Sequence, residues 1–200
     1  MDDTALGWVR PGLLGGQRER GVLMLSVAEL ERYEGTPEVL RESFVQGRML
    51  LREVAAELLG TRPDSVVIVA RCPDCGGPHG QPRVEHSTMR LSLSRCATAV
   101  VAVASRITAV GIDVEPDDVG PDRLAAIGIL TGVESVLHWT AIEAVLKADG
   151  RGLRVDPARV LISRRPPGFR AWVADSGRSY RVTQPVLHPG LVVSLAKESR

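Results

Sequence analysis

The feature that most restricts the fold is a long apolar stretch, residues 97–110, that runs directly into the sequence Gly-Ile-Asp-Val-Glu-Pro. Ser105 and Arg106 break the stretch, which is also too short to span a bilayer. The pattern therefore predicts two strands, at 98–104 and 107–115, joined by a turn. The second strand carries two carboxylates where burial is otherwise indicated, and ionised carboxylates are costly to bury without a partner.

Helical patterns are followed by strand patterns twice along the chain. Helices are predicted at 38–60 and 135–149, because apolar residues recur there at helical spacing and glycine stands at each C-terminal end. The other predicted elements are strands at 22–27, 66–70, 89–94, 160–163, 170–174, 180–186 and 191–196, and a short helix at 124–130. This order predicts an α+β chain of two similar halves. The predicted divisions are a loose N-terminal extension at 1–21, a first half at 22–106 and a second half at 107–200.

The composition argues against several classes of protein. Of the 200 residues, 44% are hydrophobic and 24% are charged, as in ordinary globular proteins, and the formal net charge is only +1. Such a chain has no overall field that would attract nucleic acid or an anionic membrane, so we expect neither as a partner. An odd number of cysteines and an N-terminus without a basic region and apolar core predict a reduced, cytoplasmic protein.

The two carboxylates of the second strand, Asp113 and Glu115, are candidates for metal binding. Residues two apart on a strand face the same side, so the carboxylates face one way while Ile112 and Val114 face the other. Two oxygen ligands with a short, fixed separation suit Mg²⁺. The alternative is an exposed strand edge with two solvated acids, since the pattern D-x-E is common.

The predicted helix at 135–149 contains the sequence W-T-A-I-E-A-V-L-K, in which Glu143 and Lys147 share one face with Trp139. In the functional interpretation, Glu143 is a third carboxylate beside the acidic pair and Lys147 neutralises a phosphate. In the structural interpretation, the two residues form only a surface ion pair, which would contribute tenths of a kcal/mol.

Residues 72–82, C-P-D-C-G-G-P-H-G-Q-P, are dense in glycine and proline and are predicted to form a loop. The side chains that could assemble a zinc site are Cys72, Cys75 and His79, with Cys96 or His86 as a fourth ligand. No second C-x-x-C or H-x₃-H follows, so the pattern is half of a zinc motif. We therefore favour a stiff loop whose backbone lies close to a ligand.

A fourth candidate is the sequence L-S-L-S-R at 91–95. Ser92 and Ser94 share one face of the predicted strand, and Arg95 begins the turn that follows. A hydroxyl beside an arginine can hold a phosphate. A polar strand end is the alternative.

Together and in this order, these motifs resemble the 4′-phosphopantetheinyl transferases of the surfactin-synthetase type. That family carries G-[IV]-D-[IV]-E and then W-[ST]-x-K-E-[AS]-x-x-K-x-x-G-x-G-L, with H-G-K-P and S-x-S-H upstream. The matching stretches of this chain are 111–115, 139–153, 79–82 and 92–95, and residues 44–52 look like the family's N-terminal helix. The similarity extends over residues 22–196, and its specificity lies in the joint order and spacing.

The resemblance implies a pseudo-twofold arrangement of two similar α/β halves, with the active site in the cleft between them. It implies a monomer that uses Mg²⁺ to transfer the 4′-phosphopantetheine arm of coenzyme A to a serine of an apo acyl or peptidyl carrier protein, with release of 3′,5′-ADP. The alternative is a non-catalytic or weakly active relative that binds coenzyme A or a carrier domain.

The resemblance also implies roles for individual residues. Asp113, Glu115 and Glu143 would hold the metal, and the catalytic set would be Asp113, Glu143 and Lys147. Glu143 would also act as the base for the carrier serine, and Lys147 would contact a phosphate. The other coenzyme A contacts would be Arg48, Ser94 and Arg95 at the 3′-phosphate, with Gln81 and Pro82 along the nucleotide.

The chain departs from the family pattern at four places. Ile142 and Gln81 stand where the family has lysine, and Arg95 replaces a histidine. The segment at 116–138 is short and lacks the F-x-x-x-E element that helps to dock the carrier. The three carboxylates and Lys147 are retained, so we favour retained activity. The arginines that could meet an acidic carrier helix are Arg164, Arg165, Arg170, Arg178 and Arg181.

Overall fold

The computed structural model describes residues 3–174 and 176–199. The described residues form two antiparallel five-stranded sheets and five α-helices, which confirms the predicted mixture of α and β structure. The chain divides into two compact units, one made of Met1–Leu93 and Val100–Ile107 and the other of Ser94–Ala99 and Thr108–Arg200.

The first sheet has the strand order β1-β5-β4-β3-β2. Its strands are β1 (Thr4–Val9), β2 (Ile68–Val69), β3 (Arg83–Val84), β4 (Arg90–Arg95) and β5 (Val100–Ser105). The helices of the first unit are α1 (Gln17–Leu23), α2 (Val27–Glu34) and α3 (Glu38–Leu59).

Helix α3 was predicted from its apolar spacing, and the structure confirms it. Gly60 ends it in the left-handed conformation, at φ 67°. Its buried face, which includes Leu51 and Ala55, forms one apolar core with the strands of the sheet. Burial of this helix face contributes to the stability of the unit.

The structure differs from two predictions near the N-terminus. A loose extension was predicted at 1–21, but the described part of it, residues 3–21, is not loose, because Thr4–Val9 pairs along its whole length with β5. Residues 22–27 do not form a strand, because Ser26 begins helix α2 in a reciprocal capping box with Glu29. Hydrogen bonds decide both cases, and the spacing of apolar residues does not predict them.

The second sheet has the strand order β6-β10-β9-β8-β7. Its strands are β6 (Val110–Pro116), β7 (Val160–Arg165), β8 (Gly168–Val173), β9 (Ser179–Thr183) and β10 (Leu191–Glu198). The helices of this unit are α4 (Pro121–Thr131) and α5 (Val136–Asp149), and all seven elements fall near their predicted positions.

Helix α5 lies directly against strand β6, and Gly111 is the reason that it can. A Cβ atom on Gly111 would lie 2.0 Å from the carbonyl oxygen of Ala144 and 2.4 Å from the backbone nitrogen of Ala148. Ser135 accepts a hydrogen bond at the start of the helix, and Gly150 ends it in the left-handed conformation. The side chains of α5 are therefore brought close to those of β6.

No single helix among the described residues is long and apolar enough to cross a membrane. Helices α4 and α5 reach the required length and composition only as a pair, and this pair is bent by 51°.

Candidate functional site

The two carboxylates of strand β6 lie on the face that packs against helix α5. Gly111 contacts α5 directly, and Asp113 and Glu115 share its face because side chains alternate along a strand. Ile112 and Val114 face the opposite side and are buried as well. The structure therefore has the predicted acidic face and apolar face. Although β6 is the edge strand of its sheet, Asp113 is buried and Glu115 is half-buried, so the two acids are not fully solvated.

Asp113 is held by two side chains from other segments of the second unit. Lys147 Nζ donates to Asp113 Oδ1 at 2.6 Å and to Ser94 Oγ at 3.0 Å, and Ser94 Oγ donates to the same Oδ1 at 2.6 Å. The Asp113 side chain is only 7% exposed, so the Lys147 charge compensates a carboxylate that water cannot solvate well.

The second oxygen of Asp113 differs sharply from the first. Oδ2 is buried and has no hydrogen-bond partner within the part of the chain that the structure describes, and the same is true of Glu143 Oε1. Buried polar atoms are nearly always satisfied by protein or by ordered water, so each of these two oxygens can accept a hydrogen bond from water or bind a ligand.

Glu143 lies one helical turn before Lys147 on α5. Its pKa is raised, first by burial and then by the negative charges of Asp113 and Glu115, while the charge of Lys147 acts in the opposite direction. All three neighbours therefore lie close enough to Glu143 to act on it electrostatically, as the sequence-based proposal of a shared site requires.

Glu115 has a cationic partner that the sequence analysis missed. Arg123, from helix α4, donates to Glu115 Oε1. Nothing in the sequence pattern links these residues, because their contact depends on where α4 packs after the end of β6.

The donor set fits Mg²⁺ in chemistry, although the carboxylate oxygens lie too far apart to share one ion without side-chain movement. Carboxylate oxygens are the ligands that Mg²⁺ prefers, and two of them are buried without partners. Within residues 3–174 and 176–199, however, only one group of three metal-binding donors lies within 4.8 Å of one another, and it is not this one. The cations of Lys147 and Arg123 take up part of the negative charge instead.

The residues predicted to contact coenzyme A are divided between the two units. Ser94 is part of the Asp113 cluster, and Arg95 follows it at the exposed end of β4. Gln81 and Pro82 belong to the first unit, where they are half-buried just before β3. Arg48 also belongs to the first unit.

Arg48 is held inside the first unit by a buried glutamate and an aromatic ring. Its guanidinium is buried, lies 3.5 Å from Glu29 and is stacked over the ring of Phe44. Arg52 binds the same carboxylate at 2.5 Å, so one buried glutamate is shared by two arginines. Sequence analysis missed Glu29 and Arg52, whose partners lie far apart in the chain.

Ile142 stands where the resembled pattern has lysine. Its side chain is 1% exposed and packs in the apolar core of the second unit, with Val182 and Tyr180 among the residues of that core. A cation would be costly to bury at this position, so an apolar side chain suits the packing of α5 here.

A second buried cluster fixes the end of helix α5, two residues after Lys147. Tyr180, which is fully buried, donates to Asp149 Oδ2 at 3.1 Å, and Arg151 binds Oδ1. Burial tends to raise the pKa of Asp149, but the hydrogen bond and charge of Arg151 outweigh it, so the pKa is lowered overall. The cluster ties α5 to β9 and thereby positions Lys147.

The site thus combines three carboxylates, an ammonium group and a hydroxyl. These are the donor types with which proteins bind a divalent cation and a phosphate, although the carboxylate oxygens would first have to move closer together. No protein-family model matches the chain, and no curated protein matches it.

Proposed function

We propose that the protein transfers the 4′-phosphopantetheine arm of coenzyme A to a serine of an apo carrier protein, in a reaction that requires Mg²⁺ and releases 3′,5′-ADP. The observation that carries the proposal is the environment of Asp113. Oδ1 is bound by Lys147 and Ser94, while Oδ2 is buried with no hydrogen-bond partner among the described residues. A bound cation would compensate that oxygen.

The metal would be held by Asp113 Oδ2, Glu143 Oε1 and a carboxylate oxygen of Glu115. When bound, the ion would neutralise charge that develops on the leaving 3′,5′-ADP. Glu115 would then share its carboxylate with Arg123 or release it.

The protein's own residues would supply the proton transfer and part of the charge neutralisation. The carrier serine oxygen would bond to the phosphorus next to the pantetheine arm, and the bond from that phosphorus to the ADP oxygen would break. Glu143 would accept the serine proton, directly or through water. Lys147, which Asp113 orients, would contact a phosphate oxygen.

The remaining contacts to coenzyme A are proposed at four residues. Ser94 and Arg95 would lie at the 3′-phosphate, and Gln81 and Pro82 along the nucleotide. Arg48 is omitted, because its guanidinium is already buried against Glu29. The proposal includes the pseudo-twofold arrangement with the active site in the cleft between the halves, a monomer and a cytoplasmic location.

Arg170 and Arg181 are the proposed contact residues for the carrier. They are exposed and lie directly opposite each other on strands β8 and β9. Like charges directly opposite one another are destabilising, and an acidic partner would compensate this pair. Arg178 is not included, since it pairs with Glu198.

The decisive experiment is to incubate the protein with coenzyme A, Mg²⁺ and apo carriers from fatty acid, polyketide and peptide synthases. We expect intact-mass spectrometry to show a carrier heavier by one phosphopantetheine group. Asp113→Ala should abolish the shift, whereas Asp118→Ala, an exposed acid just beyond β6, should not. Arg170→Glu with Arg181→Glu should raise KM for the carrier and leave KM for coenzyme A unchanged.

The alternative, a relative that binds coenzyme A or a carrier without transferring anything, is favoured by one observation. The carboxylate oxygens do not converge within 4.8 Å across the described chain, and protein cations pair with two of the three carboxylates. Binding of coenzyme A by calorimetry, together with unchanged mass in every carrier, would establish this alternative and refute the transferase.

A further inference from the structure

The loop between strands β2 and β3 brings together three side chains that the proposed transferase chemistry does not use. Cys72 Sγ, Cys75 Sγ and a ring nitrogen of His79 all lie within 4.8 Å of one another, and Cys75 Sγ is 2.9 Å from His79 Nε2. We propose that this loop binds one Zn²⁺ through these three side chains. The inference is independent of the proposed transferase activity.

The backbone of the loop is shaped to present two thiolates on one side. Gly76, directly after Cys75, has a left-handed φ of 76°, which turns the chain back. Cys72 N donates to the carbonyl of Gly77 at 2.8 Å, and Gly76 N donates to the carbonyl of Cys72 at 2.9 Å. The two cysteines are therefore held in a tight double turn.

A backbone N–H group is also directed at one of the sulfur atoms. Gly77 N donates to Cys75 Sγ at 3.4 Å, and Cys72 Sγ lies 3.9 Å from Asp74 Oδ2. A hydrogen bond from a backbone N–H stabilises a thiolate, which is the form of cysteine that binds a metal.

The backbone at the end of the loop places His79 close to the two cysteines. Gly80 N donates to the carbonyl of Ala70 at 2.7 Å, and a Cβ atom on Gly80 would lie 2.1 Å from the carbonyl oxygen of Arg71. Only glycine allows this close approach. Arg32 of helix α2 donates to the carbonyl of Pro78 at 3.2 Å, so the turn that carries His79 is tied to the body of the unit.

The distances suit zinc after a small opening of the cluster. Zinc bonds of about 2.3 Å to sulfur and about 2.0 Å to nitrogen place tetrahedral ligands about 3.5–3.8 Å apart. Cys75 and His79, now 2.9 Å apart, would separate by several tenths of an ångström. Two thiolates and an imidazole prefer zinc over the hard cation Mg²⁺.

Three protein ligands leave one position on the metal for water or an added donor. Within the described residues, no fourth cysteine, histidine or carboxylate joins the group. The metal would close the loop that leads into β3, a strand of only two residues, and would thereby stabilise this side of the first sheet.

The test is metal analysis of the full-length protein, purified without chelator and dialysed. We expect one equivalent of zinc per chain, retained in Cys96→Ser and His86→Ala and lost in Cys72→Ser and Cys75→Ser. His79→Ala should weaken zinc binding at least tenfold in competition with a chromophoric chelator. Cobalt added to the chelator-treated protein should show thiolate charge-transfer absorption and the intense visible bands of tetrahedral Co²⁺.

Three results would overturn the proposal. The first is chelator-treated wild-type protein that shows no thiolate–cobalt absorption when Co²⁺ or Zn²⁺ is added under reducing conditions. The second is zinc that persists in the Cys72→Ser, Cys75→Ser double variant. A loss of two hydrogens in the intact mass of the protein as isolated, with no metal, would instead identify the pair as a disulfide. The cobalt titration uses wild-type protein, so it stays informative if a variant fails to fold.

Discussion

Replacement of Gly111 by alanine would test whether the contact between α5 and β6 builds the site. The new Cβ atom would lie 2.0 Å from the carbonyl oxygen of Ala144, whereas ordinary contacts of a Cβ atom begin at 3.4 Å. The helix must therefore move away from the strand by roughly 1 Å or more. Both nearby atoms belong to the helix backbone, so no side-chain rotation can relieve the clash.

The expected cost follows from this geometry. Overpacking of a core costs about 1–3 kcal/mol, and a clash with backbone belongs at the upper end, about 3 kcal/mol. For a chain of this size, that loss lowers the melting temperature by about 6–12 °C. A shift of this size would also break the 2.6 Å bond between Lys147 and Asp113, so the stabilisation by Mg²⁺ that the proposed function requires should be weaker in this variant.

Calorimetry with and without Mg²⁺ would measure both effects. Gly15→Ala is the matched control, because no atom lies within 4 Å of its added Cβ, and its melting temperature should stay close to that of the wild type. If Gly111→Ala had the same melting temperature as the wild-type protein, and the same change in melting temperature on adding Mg²⁺, then the contact between α5 and β6 would not be what positions Lys147.

Four further predictions concern polar and charged groups of the second unit. Lys147→Met should destabilise the metal-free protein by about 2–3 kcal/mol in urea titrations, because Asp113 loses its cation. Mg²⁺ should stabilise this variant more than the wild type. If Mg²⁺ stabilised the two proteins equally, that would count against a shared site. The raised pKa of Glu143 means that the folded state binds its proton more tightly, so stability falls as pH rises from the ordinary glutamate pKa to the raised value. Glu143→Gln should therefore be more stable than the wild type at neutral pH without metal, and a variant that is less stable would refute this. Because the pKa of Asp149 is lowered in the folded state, its ionised carboxylate stabilises the fold above the unfolded-state pKa, and this stability is lost as pH falls through the lowered, folded-state pKa. The free energy of unfolding of Asp149→Asn should therefore decrease less on acidification than that of the wild type. Tyr180→Phe should lower the free energy of unfolding, measured by urea titration, by about 1 kcal/mol. An unchanged free energy would mean that the hydrogen bond to Asp149 contributes nothing to stability.

Local signals account for the elements that were predicted well. Helices α3 and α5 have apolar residues at helical spacing and a glycine at the C-terminal end, and both begin and end within one residue of the predicted positions. Strand β6 combines an apolar run with alternating carboxylates. Such patterns act over a few residues, so they can be read without knowledge of the fold.

Elements that depend on a distant partner were predicted poorly. Strand β1 forms because β5, almost a hundred residues later, provides an edge with which it can pair. The contacts that define the candidate site are of the same kind, since Ser94 and Lys147 meet at Asp113 from segments on either side of it.

The sequence by itself determined the mixed α and β class, the main helices and which carboxylates share a face, because backbone periodicity and capping are local properties. Only the tertiary structure decided that Arg123 binds Glu115, that Asp113 Oδ2 is buried without a partner among the described residues, and that Cys72, Cys75 and His79 meet. These facts depend on side-chain positions in a packed interior, where a single close approach, such as that of α5 to Gly111, sets which groups come within bonding distance.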